Sequence, residues 1–333
     1  MKLLILGGTV FLGHETARQA VADGHEVTCV ARGESGTTPE GARFVRGDLA
    51  EPGGLDALAG EEFDAVVDVG RRPSLVRNAL AALADRVGHW TYVSTINVYS
   101  DDETPFQRPD TSPLIDPGDA IHGDLEGPPE EAYPRHKRAC ELAVLDAFGP
   151  ERSFLCRAGL IVGPHDRSDR FTYWPVRMAR GGEVLAPGNP DDLVQWVDVR
   201  DLAAWLIDAS EQRRSGAYDG IGMPIGRADL LAGVAAAVGS DFTFTWVDQE
   251  FLAAQQVNPW AGPRSLPMWL PVPEAAGVLG RDASPSLAAG LAPRSLAATA
   301  KDTLTWYQSE IHELKCGLSP AEEAEVLEAW AAR

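Results

Sequence analysis

The sequence predicts an α/β protein in which a doubly wound parallel sheet is followed by a smaller C-terminal region. Three observations indicate this fold class. Short apolar runs alternate with segments of helical composition from Lys2 to Arg157, the first run ends in a glycine-rich turn, and no low-complexity linker interrupts the chain. Apolar runs without polar alternation are typical of strands buried on both faces, and strands that alternate with helices are typical of a parallel sheet.

The net charge of the 333 residues argues against some classes of binding partner. Asp and Glu outnumber Lys and Arg by 49 to 29, which gives a net charge of −20. Such a surface repels nucleic acid and anionic membranes, and no basic run offsets it. We therefore expect a small-molecule substrate, neither a nucleic acid nor a membrane as partner, and a monomer or homodimer.

The four cysteines stand far apart and form no C-x-x-C pair, so neither a zinc site nor a disulfide framework is indicated. We expect buried free thiols in a reducing compartment. No segment approaches the ~18 uninterrupted apolar residues of a membrane span. The first predicted strand begins too near Met1 to leave room for a signal peptide. These features favour the cytoplasm.

The first unit of the chain is a strand, a glycine turn, a helix and a second strand. Lys2 to Leu6 is apolar, helical composition follows the turn as far as Gly24, and Glu26 to Val30 is the second predicted strand. This order is that of a Rossmann-like βαβ unit, in which glycines let a dinucleotide pyrophosphate approach the backbone at a helix N-terminus. The turn alone is equally compatible with an ordinary strand-to-helix connection. Its candidate cofactor-binding residues are Gly7, Gly8, Thr9, Val10, Phe11, Leu12 and Gly13, with Val10 where a middle glycine is usual.

The end of the second strand bears on the choice of cofactor. NAD-dependent proteins usually place an acidic residue here to hold the ribose 2′-hydroxyl. This chain has Ala31 followed by Arg32. A guanidinium suits a 2′-phosphate, so NADP is favoured, with NAD possible. The alternative is that Arg32 is a solvated loop residue.

The remaining elements of the sheet follow in order. Ser74 to Val87 is predicted as a helix, and residues 101–132, which are acidic and rich in proline, as a surface loop near the site. The further predicted strands are Phe44 to Arg46, Phe63 to Val69, Trp90 to Ser94 and Ser153 to Arg157.

A second pattern carries the chemistry. Thr95 follows the fifth strand, and Tyr133-Pro134-Arg135-His136-Lys137 stands downstream. An ammonium near a phenol favours the phenolate and lowers its pKa from ~10. Residues four apart share a helix face, so Lys137 can lie beside Tyr133. Pro134 disfavours helical geometry at the residue before it, so we predict that Tyr133 is the N-cap and Pro134 the first helical residue. If their spacing is a coincidence, Tyr133 and Lys137 are ordinary surface residues.

With the glycine turn, Thr95 and the Tyr-x-x-x-Lys pattern in order, the chain resembles the extended and atypical short-chain dehydrogenase/reductases (the NAD-dependent epimerase/dehydratase family). Arg157 to Pro164 and Trp196 to Ala203 match two further signatures, so the resemblance covers residues 1 to about 210. It implies that Tyr133 is the acid/base, that Lys137 also holds the nicotinamide ribose, and that Thr95 hydrogen-bonds the substrate. Beyond the turn, Arg32, Tyr133 and Lys137, the implied cofactor-binding residues are Asp48, Leu49, Val69, Gly70, Ala158, Gly159 and Leu160.

The chain divides on this basis into two parts. Residues 1–164 and 193–209 are predicted to form the NADP-binding domain, and 165–192 and 210–333 the substrate-binding region. Five tryptophans from residue 210 onward suit an apolar or aromatic substrate, or equally a core. No metal site is predicted, since His165, Asp166 and Asp169 indicate a loop more than a metal cluster.

The reaction predicted from these features is NADP-dependent reduction of a carbonyl group on a small, apolar or aromatic molecule. Relatives that dehydrate sugars carry Asp-Glu after the catalytic Thr, where this chain has Ile96-Asn97. Nucleotide-sugar enzymes commonly have Asn at the place of Leu160 and Arg at that of Val194. The alternatives are a nucleotide-sugar epimerase or dehydratase with bound NAD, and a non-catalytic relative that senses a cofactor or binds RNA.

Overall fold

The computed structural model describes residues 1–333, and it contains fifteen strands and ten α-helices. The strands are β1 Lys2–Leu6, β2 Glu26–Ala31, β3 Arg43–Arg46, β4 Phe63–Asp68, β5 Val87–Thr95, β6 Ser153–Ala158, β7 Ile161–Val162, β8 Gly182–Pro187, β9 Leu193–Val194, β10 Val197–Asp198, β11 Gly216–Gly220, β12 Ile225–Gly226, β13 Phe242–Val247, β14 Asn258–Trp260 and β15 Ser265–Pro267. The helices are α1 Phe11–Ala22, α2 Pro73–Leu83, α3 Pro129–Phe148, α4 Tyr173–Met178, α5 Val199–Glu211, α6 Arg227–Val238, α7 Gln249–Ala254, α8 Ser284–Ala288, α9 Leu296–Ser309 and α10 Pro320–Ala331. None of these helices is long and apolar enough to cross a membrane.

The central sheet confirms the predicted doubly wound, Rossmann-like fold. Its seven strands lie in the order β11-β6-β5-β4-β1-β2-β3, and every neighbouring pair is parallel. The order reverses direction at β1, so the crevice where such sheets bind ligands opens beside the end of this strand.

The strands at the centre of the sheet are largely apolar because both faces are covered. In β1, Leu3 and Ile5 belong to the core on one face, and Leu4 and Leu6 to the core on the other. Helix α5 packs on the first face and helices α2 and α3 on the second. All four cysteines are free and buried, as expected from their spacing.

Two element boundaries differ from those predicted. Helix α3 begins at Pro129, so Tyr133 lies inside the helix and is not its N-cap, and Pro134 is an internal residue. A proline this close to the start removes only one helical hydrogen bond, and Glu130 and Glu131 favour the positive end of the helix dipole. Strand β11 lies beyond the predicted domain boundary at residue 209 but pairs with β6, because Gly216–Gly220 returns to the edge of the sheet after α5.

The C-terminal part has a core of its own. Buried side chains between Leu160 and Val326 form a third large cluster, with helices α4, α6, α9 and α10 around it. Trp269 and Trp306 are buried, and Trp246, Trp260 and Trp330 pack against the cluster. The tryptophans are therefore core residues and give no support to an aromatic substrate.

A buried chain of charges joins this part to the sheet. The Arg281 guanidinium donates to Asp219 in β11 (2.7 Å), and the Tyr99 hydroxyl donates to the other oxygen of the same carboxylate (2.6 Å). Arg157 of β6 donates to the Tyr99 hydroxyl and, through two nitrogens, to Glu141 of α3. Since each charge has a partner of opposite sign, the network holds α3, β6, β11 and residue 281 together without an unpaired ion.

Removal of one member of this network should be strongly destabilising. Arg281 is 2% exposed and Asp219 is fully buried, so Arg281→Met leaves a buried carboxylate without its cation. We expect a loss of about 3–5 kcal/mol in the free energy of unfolding, measured by urea denaturation. The control is Arg43→Met, which breaks the exposed pair with Glu61 and should cost less than about 1 kcal/mol. Equal losses in the two variants would contradict the role of the network.

Candidate active site

The glycine turn between β1 and α1 forms a cradle that side chains would fill. Gly7 has φ +95°, and a Cβ on Gly13 would lie 2.2 Å from the carbonyl oxygen of Gly7. Both positions therefore require glycine. No side chain caps the first turn of α1, so the N–H groups of this turn face the cradle without a side-chain partner. The turn fits a dinucleotide pyrophosphate, which helix N-termini of this kind bind.

Val10 stands in the turn where a middle glycine is usual, and Gly8 stands two residues before it. A Cβ on Gly8 would lie 2.6 Å from the Cys29 sulfur in β2, so Gly8 serves close packing of the turn on the sheet. Val10 is half exposed at the tip of the turn, beside Thr9 and Phe11. These three residues line a cleft of about 860 Å³ whose opposite wall is Pro164 to Ser168.

The predicted contacts to the adenosine end lie at the ends of β2 and β3. Arg32 is exposed, and its guanidinium pairs with the equally exposed Glu34 at 3.2 Å. Asp48 accepts the backbone N–H of Ala50 (2.9 Å) and so closes a turn, and the carbonyl of the adjacent Leu49 accepts the amide of Asn78. A carboxylate beside Arg32 opposes a 2′-phosphate, so the structure gives the NADP expectation no further support.

The other predicted cofactor residues lie at the carboxyl ends of β4 and β6. Val69 contacts the glycine turn, since a Cβ on Gly7 would meet its side chain, and Gly70 follows it. Ala158 pairs with Thr95 across the sheet, which places Gly159 next to the site. Leu160 is different: it is 3% exposed and belongs to the C-terminal core.

Thr95 and Tyr133, the predicted substrate-binding and acid/base residues, lie near the carboxyl end of β5. Thr95 ends β5, and its hydroxyl donates to Asn97 Oδ1 (3.0 Å) and accepts the Asn97 N–H (3.3 Å). Burial raises the pKa of Tyr133, and the nearby Thr95 hydroxyl partly offsets this effect. The phenol therefore stays protonated at neutral pH and can act as a proton donor there.

Lys137 occupies a more buried position than a ribose contact suggests. Its ammonium donates to the carbonyls of Gly70 (2.7 Å) and Val93 (2.6 Å) and to the Tyr92 hydroxyl (3.2 Å). An ammonium has three donors, so the protein uses all of them. A ribose hydroxyl would have to replace one of these acceptors. Burial lowers the pKa of Lys137 to about 8, which leaves it mostly charged at neutral pH.

Beneath Lys137 lies Asp68, a carboxylate that the sequence analysis did not single out. It ends β4, is fully buried, and accepts the Gly70 N–H at 2.7 Å. Burial raises its pKa from 3.8 to about 6, and the Gly70 N–H, followed by the positive charge of Lys137, limits the rise. An acidic residue within the apolar run Phe63 to Val69 was the available signal, since buried carboxylates are rare without a partner.

The cations that most lower the Tyr133 pKa are also residues that sequence reasoning missed. They are Arg71 and Arg170, whereas the sequence predicts Lys137 for this effect. The Arg71 guanidinium stacks on the Tyr133 ring, 5.3 Å from its centroid. Arg71 stands next to Gly70 at a strand end, which was a usable signal. Arg170 carried none, because the loop that places it has no regular pattern.

The loop of His165, Asp166 and Asp169 has a structural role. Asp169 is fully buried and accepts the His312 Nε2 at 2.7 Å, and Asp166 accepts from Ser168. No group of three or more His, Cys, Asp or Glu side chains is arranged to hold a metal ion. His136, a sequence neighbour of Lys137, is buried and accepts the Leu125 N–H, so it faces away from solvent.

Comparison with protein families gives one match over most of the chain. The model of the NAD dependent epimerase/dehydratase family matches residues 3–221. Among curated proteins, photosystem II assembly factor Ycf39 of Synechocystis sp. is 39% identical over 71 residues, which are 20% of this chain and 22% of that protein. The aligned stretch thus spans about a fifth of the relative's length, and its biological role is not carried over.

Solved structures resemble the chain over nearly its whole length. Bordetella bronchiseptica WbmH in complex with NAD+ superposes with a TM-score of 0.66, at 18% identity, over 92% of this chain and 98% of that one. The UDP-N-acetylglucosamine 4-epimerase of Bacillus cereus gives 0.67, at 16% identity, over 95% and 100%. At these identities the likeness establishes the fold alone.

The burial of Asp68 predicts a pH dependence of stability. Its folded-state pKa of about 6 exceeds the usual 3.8, so the folded protein binds more protons between these values. Stability should then fall as pH rises through this window, by about 3 kcal/mol at most. Asp68→Asn retains the acceptor for Gly70 but does not titrate. The unfolding free energy of Asp68→Asn minus that of the wild type should increase between about pH 4 and pH 7, measured by urea denaturation. A constant difference would show that Asp68 titrates normally.

Proposed function

The chain belongs to the NAD dependent epimerase/dehydratase family, and we propose that it is an NAD-dependent epimerase acting on a hydroxyl-bearing carbon of a nucleotide sugar. The observation that carries this proposal is that Thr95, at the end of β5, is hydrogen-bonded to the amide of Asn97 and not to an acid, so that Tyr133 is the acid/base group of the site. One acid/base group suffices to interconvert an alcohol and a ketone at a single carbon.

Asn97 argues against dehydration. Loss of water across two carbons needs an acid or base at the neighbouring carbon as well, and an amide does not exchange protons at neutral pH. Asn97 lies two residues after Thr95, where the dehydratases that the sequence resembles carry a carboxylate. Its amide instead holds the Thr95 hydroxyl.

The residues of the site have separable tasks under this proposal. Bound NAD supplies the acceptor and donor of hydride. Tyr133 takes the proton of the substrate hydroxyl and returns it to the same oxygen after the sugar has presented its other face. Thr95 positions that oxygen, and Lys137 fixes α3 to β4 and β5 so that the phenol stays in place.

The pairing of Arg32 with Glu34 supports NAD as the cofactor. The two side chains are 59% and 60% exposed, so the ion pair itself is weak. Glu34 nevertheless places a negative charge beside the guanidinium that would have to hold the 2′-phosphate of NADP. The structural relative WbmH was solved with NAD+, which agrees with this choice.

Carbonyl reduction remains the second candidate, because two buried residues favour it. Leu160 and Val194 occupy the places where nucleotide-sugar enzymes commonly have Asn and Arg, and both are in the C-terminal core. Neither can contact a substrate diphosphate. A reductase would use the same Tyr133 and Thr95 but consume its reduced cofactor.

The test is conversion without consumption of cofactor. Wild-type protein with substoichiometric NAD should convert UDP-N-acetylglucosamine or UDP-glucose into its 4-epimer, measured by chromatography, with many turnovers per NAD. Tyr133→Phe should still bind NAD and should lose about 10²–10⁴ in rate, the usual contribution of a general acid/base.

Two outcomes would redirect the proposal. Stoichiometric oxidation of NADH or NADPH by a ketone, with no epimer formed, would establish the reductase. Near-normal turnover of Tyr133→Phe would remove Tyr133 from the chemistry altogether.

Cofactor preference gives a separate prediction. We expect NAD to bind more tightly than NADP, and Glu34→Gln to strengthen NADP binding about fivefold, which corresponds to about 1 kcal/mol for one exposed charge. The control is Glu40→Gln, which removes an exposed charge from the same segment and should leave the preference unchanged. Calorimetric titration that finds tighter NADP binding in the wild type would contradict the assignment of NAD.

A further inference from the structure

Tyr92 is a fully buried tyrosine that contacts the ammonium of Lys137. It lies in β5, where it pairs with Asp68 of β4 across the sheet. The Lys137 nitrogen lies 4.7 Å from the centroid of the Tyr92 ring and 3.2 Å from the Tyr92 hydroxyl oxygen. The ring and the hydroxyl of one side chain thus both contact the same charge.

The directions of the hydrogen bonds at the Tyr92 hydroxyl are fixed by its partners. The hydroxyl donates its proton to the Gly70 carbonyl at 3.1 Å. An ammonium can only donate, so the same oxygen accepts from Lys137. Burial raises the pKa of Tyr92 well above its usual value, so the phenol stays neutral. Tyr92 is therefore a neutral acceptor that occupies one of the three N–H groups of the ammonium.

Among the three acceptors of Lys137, the Tyr92 hydroxyl is the one that can be released at the least cost. The carbonyls of Gly70 and Val93 lie closer to the ammonium, at 2.7 and 2.6 Å. A buried carbonyl that loses its donor bears a desolvation cost, whereas the Tyr92 hydroxyl keeps its own bond to Gly70. A ligand hydroxyl that requires an N–H of Lys137 would therefore displace Tyr92 first.

We propose that Tyr92 competes with the nicotinamide ribose of the cofactor for Lys137, and that it thereby weakens cofactor binding. This inference rests on the NAD binding of the function proposed above and not on epimerisation. A ribose hydroxyl gains its bond from the ammonium only when the bond to Tyr92 is given up, so the net gain is smaller than that of a new hydrogen bond. Tyr92 is a positioning residue, because it acts through Lys137.

The experiment is calorimetric titration of the wild type and of Tyr92→Phe with NAD, in the absence of any sugar. Phenylalanine keeps the buried ring and removes the acceptor, so NAD should bind the variant about two- to tenfold more tightly, the equivalent of one net hydrogen bond. ADP has no nicotinamide ribose and should bind both proteins equally, which also shows that the variant is folded. The control is Tyr218→Phe, since Tyr218 belongs to the same sheet and packs on Phe154 and Trp205 in the core on the other face. It should leave both affinities unchanged.

The direction of the change separates competition from a structural role. Replacement of a tyrosine that only packs the core would leave NAD binding unchanged or weaken it, and either result overturns the inference. Equal tightening of NAD and ADP also overturns it, because the change would then not act through the ribose. No sugar is present, so a protein that forms no epimer can still show the competition, and a failed competition leaves the epimerase proposal as it stands.

Discussion

The hydrogen bonds of the Lys137 ammonium to two backbone carbonyls are the interaction on which the site depends. Gly70 follows β4 and Val93 lies in β5, while Lys137 itself belongs to α3. One side chain thus fixes a helix to the carboxyl ends of two strands, on the side of the sheet where a substrate would lie. Buried carbonyls need donors, and a buried ammonium needs acceptors, so each satisfies the other. Tyr133, one turn earlier in α3, owes its position beside Thr95 to this contact.

The Gly70 N–H and the charge of Lys137 together explain why Asp68 is tolerated at the buried end of β4. Asp68 lies within the field of the ammonium, and each lowers the cost of ionising the other. When both groups are ionised their charges largely cancel, and the positive charges that lower the pKa of Tyr133 are those of Arg71 and Arg170.

The sequence predicts the sheet well because burial on both faces leaves a strong local pattern. Runs such as Leu3 to Leu6 and Ala65 to Val67 contain no polar residue, and the spacing of glycines after β1 is a local feature of the turn. The places of Thr95, Tyr133 and Lys137 in the fold are also predictable, since Thr95 ends a predicted strand and the other two residues are four apart on a helix. The start of α3 is not, because the preference of a pre-proline residue for extended geometry is weaker than the packing of a twenty-residue helix. Nor is β11, whose five residues, Gly216 to Gly220, are mostly small or polar and join the sheet at its edge.

Arg170 illustrates the part of the site that no local pattern predicts. Its loop contains two non-glycine residues with positive φ, His165 at 70° and Asp169 at 61°. Such conformations persist only where tertiary contacts impose them. Here the contacts come from the C-terminal segment: His312 and the Lys315 N–H both donate to Asp169, and Glu310 pairs with Arg167 at 2.7 Å. The position of a cation beside Tyr133 is therefore determined by residues more than 140 positions later in the chain. Leu314 of the same segment packs on the C-terminal core, so that core and the sheet are joined through this loop.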